Sequence, residues 1–181
     1  MANALIDDWM GQKTNYPFDV GGEFAANGTI DESALLAMLD HPFFSAPAPK
    51  SLDRKDFNLN PVADLSAPDG AATLTAFSAK AVALGFQQFP ARPQRLIVCG
   101  GGRKNDTMLK MIEKYSGIPT VLTDDLGWDG DAIEAQGFAY LAYRCLHGLP
   151  ITYPGTTGVA EPMSGGVLTR PDRMAAGKIP A

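Results

Sequence analysis

The chain has 181 residues, an apolar content of 45% and a formal net charge of −5, which suits one domain with a core or one lobe of something larger. The lysines and arginines form no basic stripe of the kind that binds nucleic acid. No apolar run approaches the roughly 20 residues that a membrane span needs. The acidic N-terminus lacks the basic region of a signal peptide. The composition therefore predicts a soluble, cytoplasmic protein with neither a nucleic-acid partner nor a membrane partner.

The cysteines and histidines give no sign of a metal centre. Cys99 and Cys145 lie in apolar segments, where a free thiol behaves as a small hydrophobe. His41 and His147 are isolated in the sequence, and there is no CxxC pair. We expect no structural metal site and, without a Ser/His/Asp or Cys/His set, no nucleophilic hydrolysis.

The first half of the chain predicts helices separated by long loops. Residues 3–10 read as a helix, and the glycines and proline of residues 11–30 predict a loop. Asp31 should cap a helix to about Leu39, with Leu35, Leu36 and Leu39 inward. Prolines make 41–69 irregular, and an alanine-rich helix should run from Asp69 or Thr73 to about Leu84.

A strand, a glycine turn and a helix follow one another in the middle of the chain. Leu96–Cys99 reads as a short buried strand, and Gly100, Gly101 and Gly102 follow it. Asn105 can cap a helix of residues 105–116 whose apolar side chains share one face. Gly117 should end that helix, and Thr120–Thr123 should form a second strand, parallel to the first.

The rest of the chain predicts one long helix and an irregular tail. The loop 124–130 follows the second strand at the edge where open α/β sheets place ligands. A helix should run from about Asp131 to His147, and a short strand is expected at 167–169. The predicted core is thus strand–helix–strand–helix over about 95–148, within a single region of residues 1–181 whose segment 149–181 is irregular.

The glycine turn has two possible interpretations. It is either a tight turn without a ligand or a nucleotide site, because bare backbone N–H groups and a helix N-terminus favour phosphate. It is neither a Walker A loop nor a GxGxxG fingerprint. Arg103 and Lys104 add positive charge beside it, which suits phosphate but is also ordinary on a surface.

The acidic residues and Trp128 also have alternative interpretations. Glu134 is either a carboxylate stabilised by the helix dipole or a group facing a substrate hydroxyl. Trp128 is either a ring that stacks on a ligand or a core side chain. Most of the remaining acids should be surface charges or caps, while one or two could orient a hydroxyl or a magnesium-bound water: Asp7, Asp8, Asp124, Asp125, Asp129 and Asp131.

Taken together, the segments resemble the anhydro-N-acetylmuramic acid kinase family along essentially the whole chain. Asn3–Trp9 is similar to the sequence that follows that family's Asp-Thr-Gly-Pro-Gly element, and Val98–Gly102 with Asn105 is similar to its nucleotide segment. The other similar segments are Phe18-Asp19 with Gly22 and Gly28, Pro49–Ser51 with Arg54, Phe57 and Asn58, Ala72–Phe77, Thr123-Asp124 with Gly127, Glu134 and Phe138–Ala142, Leu149-Pro150, Thr157-Gly158, and Gly166.

The resemblance implies an α/β fold: the C-terminal ribonuclease-H-like lobe of the sugar kinase, Hsp70 and actin superfamily, without its leading strands. It implies ATP and Mg²⁺ as cofactors. The implied reaction phosphorylates 1,6-anhydro-N-acetylmuramic acid at O6 while water opens the anhydro ring, during peptidoglycan recycling. Such chemistry is mostly positioning and charge stabilisation.

The resemblance also implies roles for particular residues. Gly100, Gly101, Gly102 and Asn105 would form the nucleotide side of the cleft. Glu134 would be a carboxylate on the sugar side. Asn3 and Asp7 would continue the catalytic element, and Asp7 would support the site rather than perform chemistry.

The chain departs from the family pattern at its start. Met1-Ala2 stands where Pro-Gly of the family element would be, and the aspartate that serves as base is not in this sequence. We therefore expect a truncated kinase that is inactive alone and that binds nucleotide weakly at most. Two alternatives are another ATP-binding member of the superfamily, for which the histidines are poorly spaced, and a non-catalytic domain that forms a homodimer or completes itself with a partner.

Overall fold

A computed structural model describes residues 3–53 and 56–169. Arg54 and the segment 170–181 therefore lie outside the described residues, as do Met1 and Ala2. The helices are α1 Ala4–Lys13, α2 Glu23–Asn27, α3 Glu32–Leu39, α4 Pro42–Ser45, α5 Ala67–Phe86, α6 Asp106–Ser116, α7 Ile133–Leu146 and α8 Pro154–Thr157; the strands are β1 Leu96–Val98 and β2 Thr120–Leu122.

The two strands form a parallel pair with α6 as the connection between them. Leu96 is paired with Thr120 and Val98 with Leu122. Gly117, in the left-handed region at φ +64°, ends α6 so that the chain can turn back to β2. The α/β class and the parallel strand–helix–strand unit are therefore confirmed, as expected for part of a ribonuclease-H-like lobe.

The chain divides into two compact units, Met1–Glu134 and Ala135–Ala181. In the first unit α5 is the central helix, and α1, α2, α3 and α6 all pack against it. The buried apolar core comes from these helices; its members include Ile6, Trp9, Met10, Leu35, Met38, Leu74, Phe77, Met108 and Ile112.

The second unit is held by short-range contacts around the end of α7. The Arg144 guanidinium donates to the Pro150 carbonyl at 2.5 Å and to the Tyr153 hydroxyl at 2.9 Å. An isolated antiparallel bridge joins Thr152 to Met163. The expected strand at 167–169 is wrong, because no ladder pairs with that segment among the described residues and a strand needs a partner for its backbone groups.

The loop predicted for 11–30 is also wrong in part. α1 continues to Lys13, and the chain then makes a 3-10 turn at Val20–Gly22 and the helix α2. The Asp19 carboxylate accepts hydrogen bonds from the N–H groups of Phe24 (2.9 Å) and Ala25 (3.0 Å), so it caps α2 across the intervening glycines.

Other differences from the sequence prediction concern element ends and burial. The irregular stretch 41–69 contains α4 and a 3-10 turn at Asn60–Val62, and α5 begins at Ala67 because Ser66 caps it. In α3 the inward residues include Ala34 and Met38, while Leu36 is exposed. α7 begins at Ile133, two residues later than expected, since Asp129 accepts the N–H groups of Asp131 and Ala132 in a turn before it.

β1 is not the buried strand that its apolar sequence predicts. The Ile97 side chain is 39% exposed and Cys99 is exposed. A parallel strand is normally buried because neighbouring elements cover both of its faces. Among the described residues this sheet has only two strands, so part of β1 stays exposed. Separately, no helix in the described ranges has the length and apolar content needed to cross a bilayer.

Candidate functional site

A cavity of about 320 Å³ lies where α1, the loop before α2 and the glycine turn meet. It collects four of the residues that the sequence analysis assigned to the site, namely Asn3, Asp7, Gly101 and Asn105. The other lining residues are Ile6, Phe18, Asp19, Gly21 and Lys104. Because these segments are up to about a hundred positions apart in the sequence, their meeting is a product of the fold.

The glycine turn forms one wall of this cavity. Gly100 has φ +70° and ψ −173°, a conformation that favours glycine, and its N–H donates to the Gly130 carbonyl at 3.0 Å. Gly101–Lys104 then form a 3-10 turn, and α6 begins directly after Asn105, where the sequence predicted the cap. A Cβ added at Gly101 would have its nearest neighbour, Asn3 Nδ2, 4.0 Å away, so the space beside this backbone is open.

Asn105 joins the glycine turn to α6 and to the loop before α2. It is buried, and its Oδ1 accepts the N–H of Met108 at 2.9 Å, which confirms the predicted cap. The backbone of Gly22 comes so close that an added Cβ would lie 2.2 Å from this oxygen. Thr107 strengthens the junction, because its hydroxyl donates to the Gly22 carbonyl at 2.8 Å.

We expect Asn105→Ala to lower the free energy of unfolding by about 1 kcal/mol, because the first turn of α6 loses its side-chain cap. Asn105→Asp restores an acceptor at the same place and should recover most of this loss. Urea denaturation followed by circular dichroism measures both variants. Equal destabilisation by alanine and aspartate would show that the cap is not what Asn105 contributes.

Asn3 presents a buried acceptor to the cavity. It stands at the N-cap position of α1, yet its side chain makes no capping bond. Its Oδ1 is buried and accepts no hydrogen bond within residues 3–53 and 56–169. Its amide lies against the glycine turn, since a Cβ added to Gly102 would be 3.4 Å from Nδ2. A buried acceptor of this kind fits a ligand that donates, such as a hydroxyl or an amino group.

The remaining predicted residues are less directly placed. Asp7 lines the cavity, whereas Gly100, Gly102 and Glu134 do not belong to its lining. Glu134 lies exposed in the first turn of α7. Trp128 is 52% exposed, so the interpretation as a core side chain is wrong.

Arg103 and two aspartates form a charge cluster beside the glycine turn. Arg103 Nε is 2.6 Å from Asp124 Oδ2, and Nη1 is 2.7 Å from Asp131 Oδ1. Hydrogen bonds from Arg103, and then from Lys104, hold the pKa of Asp131 far below its usual range; Arg103 likewise lowers the pKa of Asp124. Sequence reasoning missed this cluster, because its members are 21 and 28 residues apart.

Lys104 is the cation that lines the cavity. Its ammonium lies 3.0 Å from Asp131 Oδ2, but the side chain is 63% exposed and able to turn toward an anionic ligand. No group of three or more histidine, cysteine or acidic side chains in the described part of the chain is arranged to hold a metal ion.

A larger cavity of about 590 Å³ lies at the C-terminal ends of α5 and α6. It contains none of the residues that the sequence analysis assigned to the site. Its Arg92 is engaged with the carbonyls of Ser116 and Gly117, both at 2.9 Å. The smaller cavity is therefore the better candidate for function.

Comparison with known proteins identifies a family. The family model described as "Anhydro-N-acetylmuramic acid kinase" matches residues 1–171. Curated proteins of that name are 59% identical over 170 residues in Rhizorhabdus wittichii, 52% in Bradyrhizobium diazoefficiens over 170 residues, and 50% in Rhodospirillum rubrum over 164 residues. These alignments cover 94%, 93% and 91% of this chain but 47%, 46% and 44% of the relatives, so the chain spans about half their length.

Proposed function

The chain belongs to the anhydro-N-acetylmuramic acid kinase family, and from that membership we propose that it supplies the nucleotide side of a sugar-kinase cleft. The observation that carries the proposal is the cavity in which Asn3, Gly101 and Asn105 meet. The complete reaction would be phosphoryl transfer from ATP to O6 of 1,6-anhydro-N-acetylmuramic acid with hydrolytic ring opening. We place this activity in the cytoplasm, in peptidoglycan recycling.

The geometry supports the nucleoside end of ATP as the occupant. Small-ligand pockets span roughly 300–1,000 Å³, and a cavity of about 320 Å³ suits a nucleoside better than a whole triphosphate. The buried Oδ1 of Asn3 could accept from a ribose hydroxyl or from the adenine amino group. The open backbone at Gly101 permits close contact, and Lys104 could reach a phosphate from the rim.

The proposal also assigns roles to the two carboxylates. Asp7, on the cavity wall, would support the site. Glu134 would face the sugar. The aspartate that activates water in the family belongs to an element that this sequence does not contain, so we expect turnover only when that element is supplied.

A chimera tests the proposed reaction. This chain is joined behind the leading half of the Rhizorhabdus wittichii relative, and ADP and phosphorylated sugar are measured with ATP and 1,6-anhydro-N-acetylmuramic acid. We expect turnover by the chimera and none by the chain alone. A folded chimera that is inert while the parent relative is active would contradict the proposal, and turnover by the chain alone would contradict the need for the missing element.

In the same chimera, Glu134→Ala should reduce kcat by about 100-fold, the order of loss expected when a substrate is held less precisely. The melting temperature should stay unchanged, because Glu134 is exposed. Asp125→Asn, which changes an exposed acid that lines neither cavity described above, is the matched control and should retain activity. If Glu134→Ala lowered the melting temperature and the activity together, the role of Glu134 would be to stabilise the helix rather than to position the sugar.

One observation favours a second function, that of a non-catalytic domain which completes itself with a partner. The described sheet has two strands and an exposed Ile97, and small sheets with open edges tend to pair with other chains. Size-exclusion chromatography with light scattering distinguishes the cases. A stable homodimer that binds no nucleotide would support this second function, while a monomer would contradict it.

A further inference from the structure

Arg103 links two loops that are distant in sequence. Besides its bond to Asp124 at 2.6 Å, its guanidinium contacts both oxygens of Asp131, Nη1 to Oδ1 at 2.7 Å and Nη2 to Oδ2 at 3.0 Å. Such paired contacts depend on the planar fork of arginine, which lysine lacks. One side chain thereby ties the glycine turn to the loop after β2.

Backbone contacts reinforce the same connection. Arg103 Nη1 also donates to the Gly100 carbonyl at 3.1 Å, and the Gly100 N–H donates to the Gly130 carbonyl at 3.0 Å. Gly130 approaches so closely that an added Cβ would lie 2.3 Å from Arg103 Nε. The two loops are therefore joined by charge, by backbone bonding and by steric fit.

The position of Arg103 gives this connection a functional meaning. Only 7% of the residue is exposed, and its side-chain hydrogen bonds go to Gly100, Asp124 and Asp131. Its neighbours along the turn, Gly101 and Lys104, line the cavity. The guanidinium of an arginine is always charged, and hydrogen bonds to Asp131, and then to Asp124, raise the pKa of Arg103 further above its usual value. The cluster thus lies directly beside two residues of the cavity wall.

We propose that Arg103 is a positioning residue that holds the glycine turn against the loop after β2, so that a nucleotide meets a preformed wall. The inference rests on the proposed function for the identity of the ligand. The positioning of the turn itself is independent of it. The contacts require a side chain that is both charged and forked. A lysine, which carries the same charge without the fork, should therefore not replace Arg103.

Amide hydrogen exchange tests the positioning directly. The reporters are the N–H groups of Gly100, Arg103 and Asn105, each of which is bonded within the two loops. We expect Arg103→Gln and Arg103→Lys to speed exchange of these amides at least tenfold, and Asp124→Asn to speed it to a smaller extent. The melting temperature should remain within the range of the unaltered chain.

Asp125→Asn is the matched control, because it makes the same change at the neighbouring exposed acid, for which no bond to Arg103 is present. Its exchange should equal that of the unaltered chain. Full protection in Arg103→Lys would overturn the proposal, since charge alone would then suffice. A fall in melting temperature that matches the gain in exchange would overturn it too, because the role would then be general stability.

A nucleotide titration separates this inference from the proposed function. Fluorescent N-methylanthraniloyl ATP with magnesium is titrated into the same variants, and Arg103→Lys should raise Kd about tenfold. If the unaltered chain binds the nucleotide and Arg103→Lys binds it with the same Kd, the proposal of a preformed wall is overturned. If the unaltered chain binds no nucleotide, the proposed function fails for this chain, and the exchange data alone decide whether Arg103 positions the turn.

Discussion

Replacement of Trp9 with alanine should lower the free energy of unfolding of the first unit by about 3–5 kcal/mol, the range measured for truncation of large core aromatics. Trp9 is 1% exposed. Its indole N–H donates to the Ala67 carbonyl at 2.9 Å, so the truncation also leaves a carbonyl without its donor. Its ring lies against Gly70, where an added Cβ would be 2.2 Å from Cζ2. The variant therefore loses the part of the contact between α1 and the central helix α5 that Trp9 makes.

Trp128→Ala is the control for this prediction, because it removes the same side chain from an exposed position. With Trp128 at 52% exposure, we expect a change within about 0.5 kcal/mol. Urea denaturation followed by far-ultraviolet circular dichroism measures both variants. Similar effects of the two substitutions would show that the packing of α1 on α5 is not the main support of this unit.

Gly101→Leu should weaken binding of Mg·ATP at least tenfold, which corresponds to about 1.4 kcal/mol. A Cβ added at this position has its nearest neighbour, Asn3 Nδ2, 4.0 Å away, so the substitution does not begin with a clash. The leucine side chain would enter the cavity and cover the open backbone of the turn. Competition against fluorescent N-methylanthraniloyl ATP measures the affinity, and thermal unfolding reports the stability.

Gly11→Leu is the matched control for the ligand effect. Gly11 lies exposed on α1, outside the cavity lining, and an added Cβ there has nothing within 4 Å. Its affinity for ATP should equal that of the unaltered chain. Equal affinities of Gly101→Leu and the unaltered chain would place the nucleotide elsewhere.

The elements that the sequence predicted correctly carry strong local signals. Asp31 and Asn105 cap α3 and α6 through bonds to N–H groups three residues later, at 2.9 Å in both cases. Gly117 marks the end of α6 for the same local reason. These interactions span a few residues, so a sequence pattern contains them in full.

The elements that the sequence missed depend on contacts beyond a short window. α2 begins after two glycines and is capped by Asp19 from four residues before its start, so the glycines alone suggested a loop. Residues 167–169 have a strand-like composition but no paired strand among the described residues. Composition indicates that a segment can adopt a β-strand, whereas pairing with another strand decides whether it does.

The candidate site was predictable only in part. The resemblance assigned Asn3, Gly101 and Asn105, and the fold brings these residues to one cavity. Their roles toward a ligand stay predictions. Nothing in the sequence showed that Arg103 is buried between Asp124 and Asp131, because ion pairs across 21 and 28 positions leave no periodic signal.

The cavity at the glycine turn is proposed to bind a nucleotide, and this binding can be observed residue by residue. The most direct measurement is a titration of the ¹⁵N-labelled chain with Mg·ATP, followed by proton–nitrogen correlation spectra, which detect even weak binding. We expect saturable shifts at Asn3, Gly101, Lys104 and Asn105, and none around Phe89 and Arg92 in the larger cavity. The absence of shifts at millimolar ATP, or shifts confined to the larger cavity, would contradict the claim.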